Sequence, residues 1–362
     1  MTDANAAMTD QNAVQTERKS STAPAPDDAR KPDRMREVTK PSWKYIALKT
    51  FREFTKDACP DLAASLTYYA VLSLFPALLA LVSVLGVFGQ AERTVSGMLD
   101  IVNSIAPGSA AETVRGPVEE LVRSPAAGLT LIVGILGAVW SASGYVRAFG
   151  RAMNRVYEVS EGRGFLRLRG TMLAVTIASV ILIAAVSAML VLSGPVAEAV
   201  GNVIGLGGFA VAIWSIAKWP VLLILVMILI ASLYYFTPNV KQPKFRWVTV
   251  GSVIALLVLA LTTAAFGFYV ANFGHYNKTY GALGGVIILL LWLWLVNMSL
   301  LFGAEFDAET ERGRELQAGI GAEQSIQLPP KDTVLTEKRK KVAEDDIRRA
   351  RELRQGRGRP QE

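Results

Sequence analysis

The chain has 362 residues, of which 51% are hydrophobic and only 19% are charged, and its formal net charge is +7. Soluble domains carry about 25% charged residues, so this composition excludes an ordinary water-soluble protein. With one cysteine, Cys59, and one histidine, His275, the chain has no intrachain disulfide and no zinc site that needs several such ligands.

Residues 1–42 are rich in Ala, Thr, Asp, Pro and basic residues, and they contain neither an apolar periodicity nor the apolar core of a cleavable signal peptide. This composition predicts a disordered cytoplasmic tail. Residues 43–61 then place Trp43, Phe51 and Phe54 at helical spacing between lysines and arginines. That pattern predicts a basic amphipathic helix lying on an anionic leaflet.

Six stretches are long enough to cross about 30 Å of hydrocarbon as helices. None contains Asp, Glu, Lys, Arg or His, and they occupy residues 62–89, 126–146, 170–195, 219–237, 247–270 and 282–304. Another apolar stretch, 203–217, precedes the fourth span, and it is interfacial, re-entrant or part of one long helix. Between the first two spans, residues 95–105 and 114–122 carry apolar stripes that predict two amphipathic helices over the outer face.

The predicted fold class is therefore all-α: a polytopic transmembrane helix bundle with six spans. The membrane domain covers residues 43–304, and residues 305–362 form a charged basic tail that is partly helical and lacks core residues. The tails and the loops on their side hold 33 Lys and Arg residues, against 4 on the other side. The positive-inside rule then predicts that both termini are cytoplasmic and that basic loops and tails contact anionic membrane lipids.

The first span carries an unusual polar face. Ser65, Tyr69, Ser73 and Pro76 fall on one side of a helix, next to Tyr68. Pro76 has no N–H to donate to the carbonyl of Leu72, so a backbone acceptor is freed in the span. Two interpretations stay open: the face lines a solvated cavity, or it is a packing kink satisfied by a neighbouring helix. The packing kink is favoured.

The polar turn 275–280 joins the fifth and sixth spans on the outer side. Asn277, Tyr280 and Gly281 are candidates for a substrate gate there. His275 has no Cys, Asp or Glu beside it, so the turn has no metal ligands and no orienting carboxylate in sequence. A plain interfacial turn is the favoured interpretation.

Charged residues of both signs stand at the cytoplasmic ends of three spans. A charge network that locks the base of the bundle, or alternatively a gate or ion site, is predicted for Asp57, Asp61, Arg147, Arg151, Arg155, Glu305 and Asp307.

Four stretches carry a family resemblance: "AASLTYYAVLSLFPALLALVSVLG" (63–86), "WSASGYVRAFGRAMNRVYEV" (140–159), "LYYFTPNVK" (233–241) and "TYGALGGVIILLLWLWL…LLFGAEFDAE" (279–309). Together they resemble the YihY/virulence factor BrkB family over residues 43 to 312. The resemblance implies a multi-pass protein of the bacterial inner membrane with a role in transport or envelope integrity. By position, the family's pattern falls on Tyr68, Tyr69, Pro76, Trp140, Asn154, Pro238, Tyr280, Gly281, Gly303 and Glu305.

Three functions follow, in decreasing order of support. The first is a transporter or lipid-translocating protein, and the second is a membrane scaffold that maintains the envelope, with a homo-oligomer open in either case. The third is an enzyme, because some family members are labelled as a ribonuclease of the BN type. The chain lacks a recognisable cluster of metal ligands or acid–base pair for phosphodiester cleavage, so we expect no catalytic residue, metal, cofactor or specific nucleic-acid partner.

Overall fold

The computed structural model of the chain describes residues 2–87, 127–191, 207–244, 249–273 and 282–356. Within these ranges the chain forms helices and loops, with one isolated β-bridge between Val240 and Pro330. The nine helices of the described ranges are α1 (Thr2–Thr22), α2 (Lys40–Lys56), α3 (Cys59–Val87), α4 (Ala127–Val156), α5 (Phe165–Val191), α6 (Gly207–Phe236), α7 (Val250–Phe273), α8 (Ala282–Gln317) and α9 (Val334–Gln355). The predicted all-α class is confirmed.

Helices α3 to α8 coincide with the six predicted apolar stretches, and α2 coincides with the predicted amphipathic segment. Four segments of the described chain are long and apolar enough to cross a membrane: Phe165–Val186, Ile216–Phe236, Val250–Val270 and Gly284–Gln317. The two amphipathic helices predicted between the first two spans lie outside the described residues. Helix α6 begins at Gly207 and continues to Phe236, so residues 207–217 and the fourth predicted span form one long helix.

Helix α7 presents a large apolar surface away from the bundle. Leu257, Leu261 and Phe268 are 62%, 71% and 69% exposed. In water such a surface would drive association, whereas lipid tails solvate it at no cost. This surface suits a helix that faces lipid.

The protein core lies where α3, α4, α6 and α8 meet. Leu66, Met153 and Leu301 are fully buried there. The rings of Phe149 on α4 and Tyr234 on α6 stack with their centroids 6.1 Å apart and their planes within 7°. The hydroxyl of Tyr234 also donates to the carbonyl of Leu300, which joins α6 to α8.

Two glycines allow α7 and α8 to approach closely. A methyl group on Gly303 would collide with the backbone carbonyl of Gly251 and would lie 2.6 Å from Ala255 Cβ and 2.7 Å from the Tyr234 hydroxyl. Small residues at helix crossings let membrane helices gain van der Waals contact that lipid cannot supply. Gly303 is therefore a packing position.

Helix α2 packs along the second half of α8. The Trp43 ring stacks on Phe306 at 6.2 Å, and Phe51 and Phe54 flank Phe302 at 5.2 and 5.5 Å. Phe51 remains 64% exposed on the other side. The predicted amphipathic helix therefore uses its aromatic face for α8 and leaves apolar surface at its edge.

The N-terminal 42 residues differ from the predicted disordered tail. They contain α1, and the segment after it contacts α8: Lys31 Nζ lies 2.8 Å from Glu311 and 3.3 Å from Glu315. All three charged groups are buried. Composition indicated disorder because few apolar residues are present, but buried ion pairs hold this segment instead.

The prediction that residues 305–362 lack core residues is also wrong. Helix α8 continues 13 residues beyond the predicted end of the sixth span, to Gln317. The loop that follows buries Ile326 and Leu328 in the main core. Only α9, after Thr333, is a charged and mostly exposed helix of the predicted kind.

We expect Gly303→Ala to lower the free energy of unfolding by about 1–3 kcal/mol, because the added methyl group has no room between α7 and α8. The measurement is the midpoint of thermal unfolding of the purified protein in detergent. Gly267→Ala on α7 is the matched control, since a methyl group there meets open space. Equal midpoints for the two variants would contradict the close helix contact.

Candidate functional site

Asp57 lies in the tight turn between α2 and α3, and the next residue, Ala58, has a left-handed φ of 52°. This turn directs the Asp57 carboxyl inward, where Arg155 Nε lies 3.8 Å from Asp57 Oδ1. Burial raises the pKa of Asp57 to about 7; the charge of Arg155 opposes that rise, and Glu53 adds to it. The buried Asp57 carboxyl therefore keeps its proton to a higher pH than an exposed aspartate does.

Glu305 of α8 lies beside the same turn. Cys59 Sγ donates to Glu305 Oε1 at 3.4 Å, whereas Glu305 Oε2 is buried and has no hydrogen-bond partner among the described residues. Trp294 Nε1 donates to the carbonyl of Pro60 at 3.0 Å and so fixes the turn against α8. Asp57, Cys59 and Glu305 form a small buried group, which we call the Asp57 cluster.

The other predicted charges lie apart from the Asp57 cluster. Asp307 Oδ1 accepts a hydrogen bond from the Gly251 N–H at 2.6 Å, on the side of α8 that faces α7. Asp61 is exposed. Arg147 and Arg151 line a cavity that Arg155 also borders. Of the seven predicted residues, the structure thus brings together Asp57, Arg155 and Glu305.

The polar face of α3 divides along its length. Ser65 is exposed and Tyr68 is 61% exposed. Tyr69 is half-buried, and the guanidinium carbon of Arg151 lies 5.7 Å from the centre of its ring. Ser73 Oγ donates to the carbonyl of Tyr69 at 2.8 Å, within its own helix.

The backbone acceptor freed by Pro76 has a partner on the neighbouring helix. Ser141 Oγ of α4 donates to the carbonyl of Leu72 at 3.0 Å. An unsatisfied carbonyl in hydrocarbon is costly, so this bond explains why a proline is tolerated in α3. The packing interpretation of this face predicts such a hydrogen bond from a neighbouring helix.

The candidate gate, Asn277, Tyr280 and Gly281, lies outside the described residues. One position of the family pattern, Asn154, holds loops at the end of α4. Asn154 Oδ1 accepts from the backbone N–H of Asn239 at 2.6 Å, and its Nδ2 donates to Glu161 at 3.0 Å. Asn154 thereby ties the end of α4 to the loop that follows α6.

A cavity of about 490 Å³ opens beside the first turns of α5. Arginines dominate its polar lining, and we call it the basic cavity. Its walls are Asn12, Arg147, Gly150, Arg151, Asn154, Arg155, Val159, Ser160, Glu161, Leu168, Met172, Leu335 and Arg339. Helices α1, α4, α5 and α9 and the loop after α4 thus all contribute to it.

A series of hydrogen bonds between polar side chains inside the bundle was not predicted from the sequence. Tyr145 Oη donates to Asn297 Oδ1 at 2.9 Å, and Asn297 Nδ2 donates to Thr67 Oγ1 at 3.1 Å. The series links α4, α8 and α3. Its signal was Asn297 itself, an amide in the middle of an otherwise apolar stretch, where polar side chains mark contacts between helices.

Comparison with known proteins agrees with the helical membrane architecture. The family model described as virulence factor BrkB matches residues 50–326. The ribonuclease-like protein YfkH of Bacillus subtilis is 29% identical over 266 residues, which covers 74% of this chain and 95% of YfkH.

A UPF0761 membrane protein of Alkalilimnicola ehrlichii is 32% identical over 293 residues, covering 76% of this chain. A UPF0761 membrane protein of Rhodospirillum centenum is 29% identical over 265 residues, covering 71% of this chain. The chain spans 60% and 56% of the length of these two relatives. No solved structure matches the chain.

We expect the stability of the protein to fall as pH rises from about 4 to about 7, because the folded state holds the Asp57 proton more tightly than the unfolded chain does. Asp57→Asn removes this proton and should flatten the decline. The measurement is the thermal midpoint in detergent at pH 5 and pH 8. Asp61→Asn, an exposed carboxyl at the start of α3, should decline like the unmodified protein. The same decline in Asp57→Asn would contradict a proton bound at Asp57.

Proposed function

We propose a transport function for this chain, which belongs to the virulence factor BrkB family of membrane proteins. In this proposal it is a transporter or lipid-translocating protein of the bacterial inner membrane. The basic cavity carries the proposal, because its volume of about 490 Å³ lies in the range of about 300–1,000 Å³ typical of small-molecule sites. A small solute or a lipid headgroup fits a space of that size.

We also propose six spans with both termini in the cytoplasm. Four apolar segments support this count, and α3 and α4, with 29 and 30 residues, exceed the roughly 20 residues that a span needs. An even number of spans leaves both termini on one side. The excess of Lys and Arg on that side, 33 against 4, supports the cytoplasm.

A membrane scaffold that acts through its tails is the second candidate, and the docked termini favour it. Lys340 of α9 pairs with Glu17 of α1 at 2.8 Å. Lys31, in the segment after α1, pairs with Glu311 of α8. A scaffold would lose function when the contact between the tails is broken by Lys340→Glu, whereas a transporter would not, because neither Lys340 nor Glu17 lines the basic cavity.

Nuclease activity ranks third, although one relative has a ribonuclease-like name. Among the described residues, no three His, Cys, Asp or Glu side chains are grouped so that they would hold a metal ion. The basic residues lie where membrane topology alone would put them. A nuclease assay on the purified protein, with and without Mg²⁺, tests this function directly.

Single cysteines at Ser65, Tyr69 and Ser73, in a Cys59→Ser background, test for a solvated path. Serine at position 59 keeps a donor for Glu305. If water enters from the basic cavity, we expect Tyr69→Cys to react with a membrane-impermeant thiol reagent from the cytoplasmic side. The reason is that Arg151, which lines this cavity, lies over the Tyr69 ring. Ser299→Cys, buried in α8, is the control for a dry position.

Labelling at Asn277→Cys checks that the reagent reaches the outer side. If Asn277→Cys reacts while the three α3 positions and Ser299→Cys stay unmodified, the bundle is dry. That pattern would overturn the transport function and favour the scaffold.

A further inference from the structure

The arginines of the basic cavity outnumber its carboxylates. Arg147, Arg151, Arg155 and Arg339 line it, and Glu161 is the one acidic residue among its walls. Glu161 is already engaged, because Arg163 donates to its two oxygens at 2.8 and 2.7 Å. The cavity therefore carries net positive charge.

Arg147 and Arg151 have no carboxylate within 4 Å in the part of the chain that the structure describes. Arg147 Nε donates to the backbone carbonyl of Ser143 at 3.3 Å, which leaves the terminal nitrogens of its guanidinium for another acceptor. Arg151 meets the face of the Tyr69 ring. Two guanidinium groups one turn apart on α4 thus face the same space without a counter-charge.

A third guanidinium adds to the repulsion. Burial lowers the pKa of Arg147, and the positive charges of Arg169 and Arg151 lower it further. Arg169 Nη1 is buried and has no hydrogen-bond partner among the described residues. Like charges held together in this way cost stability, and a bound anion would relieve that cost.

We propose that the basic cavity is a binding site for a phosphate group. A guanidinium offers paired N–H donors that match phosphate oxygens, and phosphate has enough oxygens and charge to engage two guanidinium groups at once. A single carboxylate carries one negative charge and would neutralise only one of them. The role of this phosphate as part of a transported substrate rests on the proposed transport function, whereas the binding itself does not.

Two sources could supply the phosphate: a lipid headgroup or a soluble phosphate compound. The cavity lies at the start of an apolar segment, Phe165–Val186, where Phe165 and Leu166 are 71% and 83% exposed. Trp140, 62% exposed, lies under Arg169 with 5.0 Å between the guanidinium carbon and the ring centre. Aromatic and basic residues at the end of an apolar helix are typical of the headgroup level, so both sources reach the cavity.

The experiment compares the full chain with Arg147→Gln/Arg151→Gln in a maltoside detergent, which carries no phosphate group. One arm titrates inorganic phosphate and measures the thermal midpoint. The other arm adds dioctanoyl phosphatidic acid and counts bound lipid by native mass spectrometry. We expect at least one probe to bind the unmodified chain, and its affinity to fall about tenfold or more in the double variant, because each lost charge-assisted contact weakens binding.

Arg349→Gln/Arg351→Gln, on the exposed part of α9, is the matched control with the same change in net charge. Leu335→Glu is a second test that removes no arginine: it brings a competing carboxylate to the cavity wall and should also weaken binding. Binding of phosphatidic acid alone identifies a lipid headgroup, and binding of inorganic phosphate identifies a soluble ligand.

Equal binding by the double variant and its matched control, or no binding of either probe, would overturn the phosphate site. The transport function fails separately, since phosphate binding with a dry α3 in the cysteine labelling would leave a binding site without transport. Solvated α3 cysteines without phosphate binding would leave transport standing with a different substrate.

Discussion

The end of the bundle around the second half of α8 depends on one charge, the buried guanidinium of Arg312. Its Nε donates to the two oxygens of Glu309 at 3.0 and 2.9 Å, and its other nitrogens donate to Glu158 and to the carbonyl of Ala322, each at 3.0 Å. Glu158 in turn accepts from the backbone N–H of Ile326. One side chain thus joins α8, the loop after α4 and the segment after α8. Removing one partner from such a group costs about 3–5 kcal/mol, because a buried charge is left alone.

The two halves of α8 are held to their neighbours by different interactions. In the apolar half, Gly303 and the hydrogen-bonded series through Asn297 hold neighbouring helices by close approach and by hydrogen bonds. In the second half, carboxylates meet basic groups from distant parts of the chain, such as Lys31. Against this pairing, Arg147 and Arg151 of the basic cavity stand out, since no carboxylate of the described residues lies within 4 Å of either. A functional site is expected where charged groups lack the partners that such groups have elsewhere in the protein.

The parts of the fold that the sequence predicted are those that depend on neighbours along the chain. A run of about 20 apolar residues is a local property, and so is the acceptor that Pro76 frees at Leu72. The donor to this acceptor is Ser141, and its identity depends on how α3 and α4 pack against each other. The rotation of one helix relative to the other cannot be read from the local sequence. The docking of Lys31 was missed for the same reason, since its partner Glu311 lies 280 residues away.

The candidate site was predictable to a similar degree. The fourfold spacing of Arg147, Arg151 and Arg155 puts them on one face of a helix, and this is readable from the sequence. Which of them meets a carboxylate is decided by the turn at Ala58, where only Asp57 points inward towards Arg155. All three arginines line the basic cavity that α5 and α9 border, but among the described residues no carboxylate lies within 4 Å of Arg147 or Arg151.

The ion pair between Lys31 and Glu311 also orders events during synthesis. Lys31 leaves the ribosome 280 residues before its partner, which at about 5–20 residues per second is an interval of roughly 14–56 s. Throughout that time the first segment of the chain has no α8 to dock on, while the helices that precede α8 are being made. The end of the bundle is therefore closed last, by the segment that was made first, and the newly made helices stay open on that side until translation is nearly complete.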